Sequence, residues 1–105
     1  MAFKALLLAH APDADFEKHN NVIDTGRYKL WTFVVKNQDE AMEVSKRIHQ
    51  KEKIDAIMLC PGFTHKDVAE IFQALDGQVS VSVSRGDGPS NRISFPAIQR
   101  EYYNE

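Results

Sequence analysis

Chemistry in this chain starts from its single cysteine. In 59-LCPGFTHKD-67, Cys60 closes an apolar run and is followed by Pro61, Gly62 and the helix-opening Thr64. A thiol that ends a parallel strand lies beside the N-terminus of the next helix, whose positive end favours the thiolate and thus a nucleophile or a redox-sensitive group. His10, just after the first apolar run, is placed to act as a general base or to orient that thiolate. Gly62 frees the backbone so that the amides of 61-PGFT-64, Thr64 included, can turn toward an anion, while Pro61 contributes no N–H. Arg85, in the turn-rich 84-SRGDGPSN-91, can grip a carboxylate or phosphate through two parallel hydrogen bonds. Each has a plainer role as well: a small buried residue for Cys60, an ordinary loop residue for His10, and a solvated connection for Arg85 and Asp87.

Other polar residues carry less chemistry. His10, Cys60 and His65 lack the CxxC or HxxxH spacing of a metal site, so no metal is expected. His65 falls in the first turn of a helix, where it meets solvent, and His19 and His49 read as surface residues. Asp13 and Asp15 follow Pro12 and most simply open a short helix. The tripeptide Arg85-Gly86-Asp87 says nothing about cell adhesion, and the sequence names no cofactor.

The elements that must position these residues alternate between strand and helix. The run 3-FKALLLA-9 is nearly continuously apolar, as a strand covered on both faces should be. A loop with room for a short helix, 10-HAPDADFEKHNN-21, leads through the turn 24-DTGR-27 to the β-rich 28-YKLWTFVV-35. Asn37 and Glu40 stand at capping-box spacing before a helix of about residues 38 to 52, with Ala41, Val44 or Ser45, and Ile48 on its buried stripe. A third strand covers 54-IDAIMLC-60, Thr64 and Asp67 repeat the capping arrangement, and Val68, Ile71, Phe72 and Leu75 follow at helical spacing until Gly77 stops the helix as a C′ glycine. Strict alternation in 79-VSVSVS-84 marks an edge strand. The fold expected is α/β: a small, mostly parallel, four-stranded sheet in the order 2-1-3-4, covered by helices, equivalent to half of a doubly wound fold. Ligands of such sheets bind beyond the carboxyl ends of the strands, where His10 and Asp13, Cys60 to His65 and Ser84 to Asn91 converge.

Size and charge narrow the function classes. A chain of 105 residues, 43% apolar and 27% charged, suits a single domain, residues 1–105, with 92-RISFPAIQREYYNE-105 as a C-terminal tail. A net charge of −2 with scattered Lys and Arg lacks the basic footprint of a nucleic-acid binder. The apolar run Ala5 to Ala9 is too short for a signal segment or a membrane span, and one cysteine makes no internal disulfide, so a cytoplasmic, reduced protein is expected.

The segments 3-FKALLLAHAPDADFEKH-19, 34-VVKNQDEAMEV-44 and 59-LCPGF-63 resemble an uncharacterised family of small prokaryotic α/β proteins of unknown function, over roughly residues 1 to 88. The resemblance rests on the APDAD stretch and the Leu-Cys-x-Gly-Phe segment; it implies a single compact domain and brings no activity with it. Pro61 and Thr64 stand where glycines are expected in relatives. Three readings follow from the residues. The first is a small-ligand or anion-binding domain using His10, Cys60, Gly62, Thr64 and Arg85. The second is an enzyme with Cys60 as nucleophile and His10 as base. The third is a homo-oligomeric interaction module. A homodimer is expected because 79-VSVSVS-84 lacks the lysine or proline that guards a sheet edge, and because Ile93, Phe95, Ile98 and Tyr102 of the tail can cover the core or cross to a neighbour.

Overall fold

The computed structural model describes residues 1–103. In chain order it contains β1 (Phe3–His10), β2 (Asn20–Asp24), β3 (Tyr28–Val35), α1 (Gln38–Glu52), β4 (Ala56–Leu59), α2 (His65–Ala74), β5 (Ser80–Val83) and α3 (Gly88–Ile98), followed by a π-helical segment, Gln99–Tyr103. The strands form one sheet in the order β2-β3-β1-β4-β5. Parallel pairing joins β3 to β1, β1 to β4 and β4 to β5, whereas β2 runs antiparallel to β3. The fold class is α/β, as expected, and the four parallel strands keep the mutual order inferred for them.

The fifth strand is a correction. Between β1 and β2, residues 11–19 form turns rather than a short helix, and Asn20–Asp24 then folds back on β3 through a tight hairpin. Gly26 makes that turn with a φ of 101°, and its amide donates to the Asp24 carboxylate at 2.8 Å. Only Val22 and Ile23 in this strand are apolar and neither is buried, so no alternation announced it.

Helix ends follow local chemistry closely. Asn37 caps α1 by accepting from the Glu40 amide, while the Glu40 carboxylate reaches back to the Lys36 amide at 2.7 Å. Thr64 and Asp67 make a complete reciprocal box at the start of α2, with bonds of 2.9 and 3.1 Å. At the other end of α2 the left-handed C′ residue is Asp76, not Gly77. The Gly77 amide bonds the Phe72 carbonyl and the Asp76 amide bonds Gln73, the two contacts of a Schellman motif.

Among the described residues the helices cover one side of the sheet only, whereas the apolar run of β1 had raised the expectation of a strand covered on both faces. Successive crossovers from β3 over β1 to β4, and from β4 to β5, step across the sheet in the same direction, so right-handedness puts α1 and α2 on the same face. That face carries Leu6, Leu8, Trp31, Phe33, Ile57 and Leu59, which pack with Ala41, Val44 and Ile48 of α1 and Ile71 of α2 into the core. The alternate residues of the same strands face the other way: Leu7, Leu30, Val34 and Met58 stay half-exposed, and Ile23 and Tyr28 are exposed. The connection 84–91 corrects a second expectation, because it is an open loop only to Asp87. Gly88 begins α3, in which Pro89 occupies the first turn and no residue is buried. Of the expected tail, positions 104 and 105 lie outside the described residues.

Candidate functional site

Parallel pairing in register sets the carboxyl ends of β1 and β4 side by side. Leu8 stands opposite Leu59, and the Cys60 amide continues the ladder onto the Leu8 carbonyl at 3.0 Å. His10 and Cys60, 50 positions apart in sequence, are thereby delivered to one rim, where the chain leaves β1 toward one edge of the sheet and β4 toward the other.

Gly62 lies between them. A Cβ built on it would stand 3.4 Å from His10 Nδ1 and 3.8 Å from Cys60 Sγ, so both side chains border the space above this glycine. The His10 ring stacks on Phe63, with centroids 3.9 Å apart and planes inclined by 22°. Its Nε2 is buried without a hydrogen-bond partner, and burial pushes the imidazole pKa below its ordinary value, with the charge of Asp67 pulling weakly upward. The ring is therefore held neutral near pH 7, the form that accepts a proton or hydrogen-bonds an uncharged group.

The far wall comes from the chain end. Ile98, Tyr102 and Tyr103 face Ala9, His10, Cys60, Pro61 and Gly62 across a cleft of about 270 Å³. The Tyr102 hydroxyl donates to the His10 carbonyl at 2.9 Å and ties the tail to the rim. Sequence reasoning placed Ile98 and Tyr102 on an apolar strip but passed over Tyr103 and the stacking role of Phe63. The only sequence signal for Phe63 was an aromatic group following a glycine in the loop.

Two expected site residues are engaged elsewhere. Thr64 spends its hydroxyl and its amide on the capping box, and the Asp67 carboxylate takes the position at that amide where an external anion would sit. Arg85 is 86% exposed, pairs with Asp87 at 3.4 Å and does not line the cleft. His65 is exposed at the first position of α2, and His19 is exposed with its Nδ1 accepting from the Asp15 amide. His49, expected at the surface, is half-buried with an unpartnered Nδ1. Among the described residues no group of three or more His, Cys, Asp or Glu side chains is arranged to hold a metal.

A model of a family of unknown function, DUF6506, matches residues 3–95. The chain belongs to this family. The matched segment takes in His10, Cys60, Gly62 and Phe63, whereas Ile98, Tyr102 and Tyr103 lie past its end. No curated protein and no solved structure matches the chain. No described helix is long and apolar enough to cross a membrane.

Proposed function

We propose that this DUF6506 protein binds a small, uncharged and largely apolar molecule in the cleft at the carboxyl ends of β1 and β4. The observation that carries this reading is the convergence of Ala9, Pro61, Ile98 and Tyr102 as apolar walls around two polar side chains, His10 and Cys60. Small-molecule sites have that composition, and a volume of about 270 Å³ falls just below their ordinary range. The anionic form of the ligand is less well supported, because Asp67 already serves the Thr64 amide and Arg85 stands away. A cytoplasmic location fits the same reading, since a lone thiol beside a ligand stays reduced there. Nucleic acid does not fit a chain of net charge −2.

A second reading has its own support in the positions of His10 Nδ1 and Cys60 Sγ, both next to Gly62. In it the Cys60 sulfur adds to a carbonyl carbon of the ligand, the C=O π pair moves onto the oxygen as the S–C bond forms, and neutral His10 takes the thiol proton. Iodoacetamide separates the two: alkylation at neutral pH faster than that of glutathione, and slowed by His10→Phe, belongs to the enzyme, while a rate at or below that of glutathione removes it.

Native mass spectrometry of gently purified protein tests the binding reading. Wild type is expected to carry a substoichiometric small-molecule mass, and Gly62→Leu, whose side chain fills the space between His10 and Cys60, is expected to lack it. An adduct equally abundant on both proteins would remove the cleft from the account.

A further inference from the structure

We propose that the uncovered face of the sheet is the contact between two copies of this chain, with each copy's α3 reaching across to the other. The proposal does not depend on what the cleft binds. It starts from β1, whose run 3-FKALLLA-9 is apolar on both sides, although α1 and α2 cover only the side of Leu6 and Leu8. A solvated antiparallel or mixed sheet face alternates polar groups outward, and a sheet that does not needs a second cover. Here the outward positions of all five strands are without a single charged side chain. Their centre is Leu7, Leu30 and Met58, each half-exposed, with Ile23 and Tyr28 exposed beside them. Depletion of charge around an apolar centre is what distinguishes a protein contact from ordinary surface.

The same chain supplies the occupant. Helix α3 runs directly on into the π-helical segment and buries none of its own residues. At about 100° per residue, Phe95 and Ile98 lie on one side and Ile93 on the other, so the helix is apolar on two sides. One side adjoins its own rim, where Ile98 lines the cleft, while the described residues leave Ile93 on the other side 80% exposed. A helix apolar on two sides belongs between two layers. With the chain drawn out to 42 Å along its long axis against 27 and 26 Å, the open face and the projecting helix are unpaired halves of one contact.

The areas agree. Strands about 4.8 Å apart and a face about 20 Å deep present roughly 500 Å² in plan. A helix of α3's length adds roughly 150 Å², and the relief of side chains raises both toward the ~800 Å² per partner of a stable pair. A two-fold axis satisfies both copies at once and closes the assembly.

Sedimentation velocity of the full chain at about 50 μM, a concentration at which micromolar association is complete, is the test. Wild type is expected to sediment as a dimer. Met58→Lys places a charge at the centre of the face and Ile23→Lys places one at its margin, and each is expected to give a monomer with an unchanged far-ultraviolet circular dichroism spectrum. If Met58→Lys misfolds, Ile23→Lys decides, because its side chain is exposed and outside the core. Ile93→Ser is expected to weaken the dimer at least about tenfold, since burial of an Ile side chain is worth more than 1.4 kcal/mol. A monomeric wild type overturns the proposal. So does a dimer that survives both charged variants, which would mark a contact elsewhere, such as pairing along the β5 edge.

Discussion

His10 and Gly62 define the site by what they leave unfilled. Because burial lowers the His10 pKa from 6.5, the unfolded chain takes up this proton at a higher pH than the folded one. The stabilising contribution is therefore complete above about pH 6.5 and is lost as the pH falls toward and through the lowered folded value. Thermal melts should show a smaller loss of Tm for His10→Phe than for wild type between about pH 7.5 and 5, and parallel losses would mean that the imidazole is freely solvated. Gly62 is needed for space and not for its backbone, since it is absent from the positive-φ residues. Gly62→Ala should keep or raise stability, by up to about 1 kcal/mol through the unfolded chain, while the methyl, in contact with His10 Nδ1 at 3.4 Å, takes up space in the cleft and reduces ligand retention. Denaturant titration and native mass spectrometry read the two effects separately.

Among the elements, α2 carries the sharpest distinction between holding the fold and serving the ligand. Thr64 was attractive as an anion contact from its place after Pro61-Gly62, yet its bonds of 2.9 and 3.1 Å belong to the capping box. Thr64→Ala should cost about 1 kcal/mol of stability in urea unfolding and leave ligand retention at the wild-type level. Loss of retention in a folded Thr64→Ala protein would return Thr64 to the site. Capping was legible because the Thr64 and Asp67 side chains act over three residues. So was α1, whose ends agree with the expected 38 to 52. The hairpin strand β2 was not legible, because 20-NNVID-24 buries nothing and is held by pairing with β3 and by the Asp24 and Gly26 turn. Likewise α3 begins inside a segment rich in Gly, Pro and Ser and contains Pro96, composition that argues for a loop.

At the scale of the molecule, continuous apolarity in β1 raised the expectation of cover on both faces, and crossover handedness explains why the chain alone supplies one. The meeting of His10 with Cys60 was legible from the inferred neighbourhood of the first and third expected strands. The contribution of Ile98, Tyr102 and Tyr103 was not, because it depends on the path of a tail that crosses the rim. The cleft is thus formed jointly by a family-matched rim and a wall beyond the match. Removal of residues 92–105 should leave the core of α1, α2 and the sheet folded, since that core contains no tail residue, and circular dichroism with light scattering would check it. The claim that the rim and the tail enclose one binding site is tested most directly by amide chemical-shift mapping on nitrogen-15-labelled full chain titrated with phenol, indole and benzamide as neutral aromatic probes. The expected result is saturable shifts for at least one probe, clustered at Ala9, His10, Cys60, Gly62 and Tyr102. Shifts confined to the open face or to the outer side of α1, or none with any probe at millimolar concentration, would contradict it.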